Sequence, residues 1–334
     1  MRALCGRYYN YGEYDIMLYK FKDEMGLEHP YEVYGEENYS CMLDVLVFTY
    51  NHEKYIAQAL DSILMQDADF SYHIIIGEDC STDETREVVL RYYHQYPDKI
   101  TLVLWEHNVG VDINSFVLYK LIKSKYVALL EGDDYWTDSL KLKKQVSFLE
   151  ENGDFIGTGH NVRCVDDGGN LLHKDFRYYS MRDEHIYGIE NAKRFELIAQ
   201  TASLVYRNFW KEWSETQWDQ YYQCRANGDI KDNVLLGLQG KAFYMRDIMA
   251  DHRRIFTGDS WTATKSGKNL LWITYQFHRN IYEYIKRNYE IEMCLQNVLK
   301  AKYRASCTKF MEATTFDNFR VFVKMYKEKL KYAK

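Results

Sequence analysis

Proline is almost missing, with 2 residues in 334. A Pro-rich linker is therefore excluded, and a chain that is 46% hydrophobic with 31 tyrosines does not read as disordered. No run approaches the ~20 apolar residues of a membrane-spanning helix. The opening "MRALCGRYYNYGEYD" lacks the apolar centre of a secretory signal. The seven cysteines (Cys5, Cys41, Cys80, Cys164, Cys224, Cys294 and Cys307) include no CxxC pair and are odd in number. That pattern argues against a disulfide frame or a zinc site and for free thiols in a reducing cytoplasm. Neither GxxxxGK[ST] nor GxGxxG occurs, so no glycine-rich loop is available to cradle phosphates.

Charge is present but uneven. The net value is −6, yet residues 262–334 hold 15 Lys and Arg against 6 Asp and Glu, which leaves −15 on the rest. A basic tail on an acidic body is a solvated helical face or a contact for an anionic surface. The length suits one large domain with an appendage, or two domains. We divide it into a Tyr- and Glu-rich extension over 1–40, a main domain over 41–261 with halves at 41–150 and 151–261, and a basic helical region over 262–334.

Apolar spacing gives the fold class. "YDIMLYKFKDEM" fits a short amphipathic helix. From residue 41, "MLDVLVFTYN", "YHIIIGED", "KITLVLWE" and "YVALLE" read as strands. Helical spacing lies between them: "HEKYIAQALDSILMQ", a helix from about Ser81 or Thr82, and "INSFVLYKLIKS". Continuous apolar strands alternating with helices predict an α/β fold whose mixed, mainly parallel sheet is covered on both faces. Beyond Trp136, "LKLKKQVSFLEEN" predicts a helix. "DFIGTGHNVRCVDDGGNLL" predicts two strands with a turn at Asp166–Asn170. "ENAKRFELIA" and "DNVLLGLQGK" predict helices, "AFYMRDIMADHR" a strand, and residues from 269 on several helices.

Ligands of such sheets bind beyond the carboxyl ends of the strands. The endings there are "TYNHE", "GEDCSTD", "EHNVG" and "EGDD". Acids on that edge bind a divalent cation, exchange protons, or hydrogen-bond a ribose or base. Mg²⁺ and Mn²⁺ prefer oxygen ligands. Gly132 lets backbone approach a ligand, and Glu131, Asp133 and Asp134 surround it. With no phosphate loop, a pyrophosphate must be neutralised by metal and by basic side chains such as His252, Arg253 and Arg254, which precede a Gly–Asp–Ser turn.

Taken in order, "VFTYNHEKYIAQALDSILMQ", "IIIGEDCSTDETREVVLRYYHQYPDKI", "NVG" and "YVALLEGDDYWTDSLKLKKQVSFLEENG" resemble the family 2 glycosyltransferases. The resemblance is strong over about 41–165 and weaker over 190–261. It implies a GT-A fold and inverting transfer of a sugar from a nucleoside diphosphate, here UDP. Thr49, Tyr50, Asn51 and Glu53 would lie near base and ribose. Asp79 would contact the base. Asp133 in the DxD-like "EGDD" would hold Mn²⁺ or Mg²⁺, with Glu131 on the ribose side and Asp134 in support as a second metal-side acid. "NGDIKDN" matches the segment of the catalytic base, which makes Asp229 the candidate and Asp232 its rival. "HRRIFTG" matches a Tyr-Arg-x-His segment near the diphosphate, with Arg253 at the Arg position, His252 at the Tyr position and Ile255 at the His position.

Competing structural roles attach to several of these residues. Asp83 reads as a helix cap, Glu53 as cap or ligand, and one of Arg253 and Arg254 as a surface ion pair. Trp136, His160 and Ser203 are acceptor-side candidates or packing residues. The expected partners are a nucleoside-diphosphate sugar and a saccharide or lipid-linked saccharide of bacterial polysaccharide biosynthesis. Nucleic acid is not expected, and the oligomeric state stays open. The basic C-terminal region suits peripheral contact with the inner face of the plasma membrane. The alternative function is a nucleotide-sugar-binding module of the same fold without turnover. Nucleotidyl transfer is disfavoured because no Gly- and Arg-rich loop follows the first apolar strand.

Overall fold

The computed structural model describes residues 7–11, 14–23, 25–35, 39–172, 184–255, 270–312 and 315–331. Cys5 and the Gly258–Asp259–Ser260 turn lie outside them. The chain forms two compact units. The first comprises 1–186, 199–215 and 242–253, and the second 187–198, 216–241 and 254–334.

The first unit opens with three strands, β1 (Arg7–Tyr11), β2 (Tyr14–Lys22) and β3 (Glu28–Tyr34). The helix expected around residues 14–25 is therefore a strand. Met17 and Phe21 are buried by pairing with β3 over seven residues and not by a helical stripe, so tertiary pairing overrides the local pattern. Alternation follows: β4 (Leu43–Thr49), α1 (Ile56–Leu64), β5 (Tyr72–Glu78), α2 (Thr85–Gln95), β6 (Ile100–Trp105), α3 (Val111–Leu121) and β7 (Tyr126–Glu131). Helix α2 begins later than the sequence suggests: its N-cap residue is Glu84, and the Asp83 carboxylate just ahead accepts from the Thr85 N–H and hydroxyl.

After β7 come β8 (Tyr135–Trp136), α4 (Lys141–Glu151), β9 (Phe155–Val165) and, in the second half, β10 (His185–Tyr187), β11 (Val205–Arg207) and β12 (Lys241–Arg253). The expected second strand after the Asp166–Asn170 turn is a single bridge between Val165 and Leu171. The sheet runs β1-β2-β3-β6-β5-β4-β7-β11-β9-β12, with β8 on β12. Its centre, β6-β5-β4-β7, is parallel. Its flanks are antiparallel: β3 pairs with β6, and β11 with β7 and β9. The parallel strands are buried nearly throughout, as a sheet covered on both faces requires. Leu43, Val45 and Val47 of β4 and Ile74 and Ile76 of β5 pack with α1, α2 and α4. On the other face α3 comes so close to β5 that only Gly77 leaves room for Asn114, whose amide donates to the Gly77 carbonyl. The buried Asp44 carboxylate accepts from the Lys123 and Ser124 N–H groups and fixes the start of β7 beside β4.

One buried layer is polar. Lys141 and Gln145, one turn apart on α4, face Thr158 and His160 on β9. The Gln145 amide donates to Thr158 Oγ1 and the Ser203 carbonyl. Lys141 is 0% exposed, with its Nζ 4.1 Å from the centre of the Trp136 ring. Lys141 Nζ, Gln145 Oε1 and His160 Nε2 have no hydrogen-bond partner.

The second unit contains α5 (Ile189–Lys193), most of α6 (Glu215–Gln223), α7 (Gly228–Gln239), α8 (Leu270–Tyr289), α9 (Leu295–Glu312) and α10 (Phe316–Lys331). The last three helices pack on one another around Tyr275, Ile281, Ile285, Leu299, Val321 and Met325. No helix among the described residues is long and apolar enough to cross a membrane. The six described cysteines are free thiols.

Candidate active site

The carboxyl ends of β4, β5, β6 and β7 form one edge, and the loops that leave them are tied together. Asn51 sits in the left-handed region with φ 55°, and Cys80 does so with φ 54°. Asn tolerates that conformation, whereas for Cys it is strained, and such residues gather at functional sites. Asn51 belongs to a lock between the two loops, and the Cys80 thiol donates to the Glu106 carbonyl. The Asn51 N–H donates to Ser81 Oγ, and Asn51 Oδ1 accepts from the Thr82 N–H at 2.8 Å. Glu53 accepts from the Glu84 N–H, and the Glu53 N–H donates to Asp83. Thr49 is buried at the end of β4, and Tyr50 is half-buried beside it.

Asp79 is buried, and its carboxylate is the hub of the next loop. It accepts from the Val109 N–H at 2.7 Å, the Gly110 N–H at 2.9 Å and the Asn108 amide at 3.1 Å. Burial nevertheless wins, and the Asp79 carboxyl is pushed up to about 6; the two N–H bonds oppose the rise.

The turn after β7 is closer still. Gly132 donates its N–H to the Phe48 carbonyl at 2.8 Å. A Cβ there would lie 2.7 Å from Thr49 Oγ1 and 2.8 Å from His52 Nδ1, so only glycine fits. Asp134 is 1% exposed and fully engaged. It accepts from the Arg253 N–H at 2.7 Å, the Gln200 amide at 2.9 Å and His252 Nδ1–H at 3.0 Å. Gln200 also reaches Glu131 at 3.4 Å. The half-buried Asp133 makes no side-chain hydrogen bond to another described residue. Its carboxyl is raised by desolvation. His52 and His252 pull it back, and the neighbouring Asp134 adds to the rise.

Arg253 is almost fully buried. It donates to the carbonyls of Asp133 (2.9 Å), Asp166 (3.2 Å) and Asp167 (3.0 Å) and to Gln58 (2.7 Å), with its guanidinium 4.6 Å from the Tyr55 ring centre. The geometry thus makes Arg253 a clasp on the acidic turn, its planar fork already filled by protein acceptors.

A divalent cation was expected here. Among the described residues no three His, Cys, Asp or Glu side chains are grouped to hold a metal by protein alone. The donor set nevertheless fits Mg²⁺ or Mn²⁺, which take one or two carboxylates and complete their shell with phosphate oxygens. Asp133 supplies such a carboxylate. Asp134, placed with it by sequence as a metal-side acid, is fully hydrogen-bonded to protein and anchors the turn.

The sequence-based acceptor residues need correction. Trp136 is buried with Nε1–H on the Ala202 carbonyl, His160 lies in the polar layer under α4, and Ser203 is enclosed with Oγ–H on the Gln200 carbonyl. None presents a surface that a sugar can touch. Asp229 and Arg254 belong to the second unit. There Asp229 lies in the first turn of α7, capped by Asn227, while Asp232 accepts from the Tyr221 hydroxyl at 2.7 Å. Sequence reasoning missed Gln200, His52 and Asn108. His52 and Asn108 stand inside quoted segments, "TYNHE" and "EHNVG", but nothing in spacing singles them out.

Known proteins resemble this chain in the same places. The family description "Glycosyl transferase family 2" matches residues 44–215. A putative teichuronic acid biosynthesis glycosyltransferase, TuaG of Bacillus subtilis, is 32% identical over 72% of this chain and 89% of its own length. An uncharacterised protein of Mycobacterium tuberculosis is 36% identical over 70% of this chain, which spans 64% of that relative's length. In structure, S. aureus TarS with UDP-GlcNAc superposes with a TM-score of 0.58 at 16% identity, over 85% of this chain and 79% of the other. A Pyrobaculum calidifontis mannosyltransferase in complex with GDP-Man and Mn²⁺ gives 0.50 at 14% identity, over 89% and 82%. With the acid-tipped parallel edge, the glycine turn and these likenesses together, the chain belongs to glycosyltransferase family 2 and has the GT-A fold.

Proposed function

We propose that the chain transfers a sugar, with inversion, from a uridine-diphosphate donor to a hydroxyl of a saccharide or lipid-linked saccharide in the making of a bacterial surface polymer. One observation carries the reading. Of the two aspartates in the "EGDD" turn, one is fully engaged by protein while Asp133 keeps its carboxylate open, desolvated and beside a second acid. A donor-bound cation would offset the desolvation that raises this carboxyl and favour its ionised form. The name of the Bacillus relative, a putative teichuronic acid biosynthesis enzyme, supports the polymer.

Mn²⁺ or Mg²⁺ held by Asp133 and completed by donor oxygens would supply Lewis-acid neutralisation of the leaving diphosphate. The chain's own residues do the rest. Asp79 accepts a hydrogen bond from the base. The Asn51–Ser81–Thr82 lock fixes the loops around the nucleoside. Gln200, His252 and Arg253 hold Asp134, and with it the direction in which Asp133 points. Asp229 removes the proton of the attacking hydroxyl, a contribution typically worth ~10²–10⁴-fold.

Calorimetry with UDP and Mn²⁺ tests the donor half. Wild type should bind, and Asp133→Asn should lose the Mn²⁺-dependent part of the affinity. An Asp133→Asn protein with unchanged Mn²⁺-dependent UDP binding overturns the assignment. Asp229→Asn should keep UDP binding and lose transfer; if no donor is ever turned over by wild type, the non-transferring module is the correct reading.

A further inference from the structure

The last helix carries a second feature, independent of the donor site. Helix α10 buries Val321 and Met325 against its neighbours. Its opposite side is apolar as well. Phe319 is 47% exposed, Tyr326 45% and Leu330 52%. At 100° per residue these three fall within about 40° of one another, a stripe roughly 16 Å long. Basic side chains flank it: Arg320 and Lys327, both exposed, on one side, and exposed Lys329, its amine 4.5 Å from the centre of the Tyr303 ring, on the other. The one acid in the C-terminal half of the helix's own sequence, Glu328, is turned inward, where it meets the Tyr275 hydroxyl and Lys331.

We propose that this face of α10 lies on an anionic lipid bilayer, with Phe319, Tyr326 and Leu330 entering the interface and the flanking cations on the headgroups. An apolar stripe bordered by Lys and Arg is the pattern of a helix that rests in the plane of a membrane. Charge decides between this occupant and a second copy of the chain. A two-fold contact through the same patch sets Arg320, Lys327 and Lys329 against their equivalents. Headgroups of anionic lipids complement them, and each Lys or Arg near such a surface is worth about a five-fold factor in affinity.

The test is co-sedimentation of the full chain with phosphatidylcholine vesicles, with and without phosphatidylglycerol, at low and high salt. We expect binding only with the anionic lipid, weakening as salt rises. The Tyr326→Glu, Leu330→Glu double variant should bind about ten-fold more weakly, with unchanged helix content and unchanged UDP affinity; the Tyr326 ring also meets Phe322 and Tyr303, so a small drop in melting temperature is expected. Absence of binding to anionic vesicles overturns the proposal, as does equal binding by the double variant. Ultracentrifugation showing a dimer that the double variant dissociates overturns it in favour of self-association. None of these outcomes depends on whether transfer is observed.

Discussion

Lys141→Met should make the protein more stable. Lys141 is 0% exposed, its amine has no hydrogen-bond partner, and burial holds it well below the ordinary lysine range. Its amine lies 4.1 Å from the centre of the Trp136 ring. Leaving a buried donor unsatisfied costs about 1–3 kcal/mol, while a desolvated cation–π contact returns up to about 2 kcal/mol only if the amine is charged. Methionine has nearly the same reach, fills the same space and removes the orphan. With the amine neutral, the net gain should be about 1–3 kcal/mol near pH 10 and larger at neutral pH, where the unfolded chain's lysine is protonated. At about 2–4 °C per kcal/mol for a domain of 150–250 residues, melting should rise by several degrees.

The pH dependence sharpens this. A lysine with a lowered folded-state value binds fewer protons when folded than when unfolded. Wild-type stability therefore climbs with pH up to the ordinary lysine value, by as much as about 1.4 kcal/mol per unit. The methionine variant lacks that slope, so its advantage is largest at low pH and shrinks as pH rises towards 10. Urea melts of both proteins between pH 6 and 9.5 measure it. A variant less stable than wild type at pH 7, or a gain that does not change with pH, would refute the reasoning and show a charged, well-solvated ammonium.

Other outcomes follow from the acidic edge. Gly132→Ala drives a methyl group against Thr49 and His52, and should cost about 1–3 kcal/mol and weaken the proposed UDP binding at least about ten-fold, as read by melting and calorimetry. Arg253→Lys cannot reproduce the planar fork that holds Asp133, Asp166, Asp167 and Gln58, and should destabilise by about 1.5–3 kcal/mol in denaturant melts. The raised Asp79 carboxyl favours the folded state when protonated, so its contribution to stability is lost as pH rises through about 6. If Asp79 contacts the base of a UDP donor as proposed, it does so ionised; UDP affinity should then fall as pH drops through about 6, and Asp79→Asn should abolish that dependence in calorimetric titrations.

The parallel centre was legible because its strands are mostly apolar and helical spacing of apolar residues lies between them. The short segments with mixed signals were not. "YDIMLYKFK" has apolar residues at spacings that suit either element, and only its pairing with β3 decides. The acids of the donor edge could be located by their place after strands, but which of them is open could not. Asp133 and Asp134 are adjacent and chemically identical. Their difference comes from Gln200, His252 and Arg253, which lie far along the chain and arrive through β12 and the segment before β11. His160 and Ser203 misled for the converse reason: a polar residue in an apolar segment signals either a ligand or an internal hydrogen-bonded layer, and α4 covers them.

The strands contributed by residues 7–34 have a practical consequence. β3 lies along β6, and Tyr31 packs on Trp105 with ring centres 4.6 Å apart. A version trimmed to begin at residue 44, where the family likeness starts, would bare "ITLVLW", six residues with no polar side chain but Thr101. Such an edge offers free backbone donors and acceptors to any passing strand. The opening hairpin moves the rim of the sheet outward to a short strand, and its loss should show first as clumping of an otherwise nucleotide-competent protein.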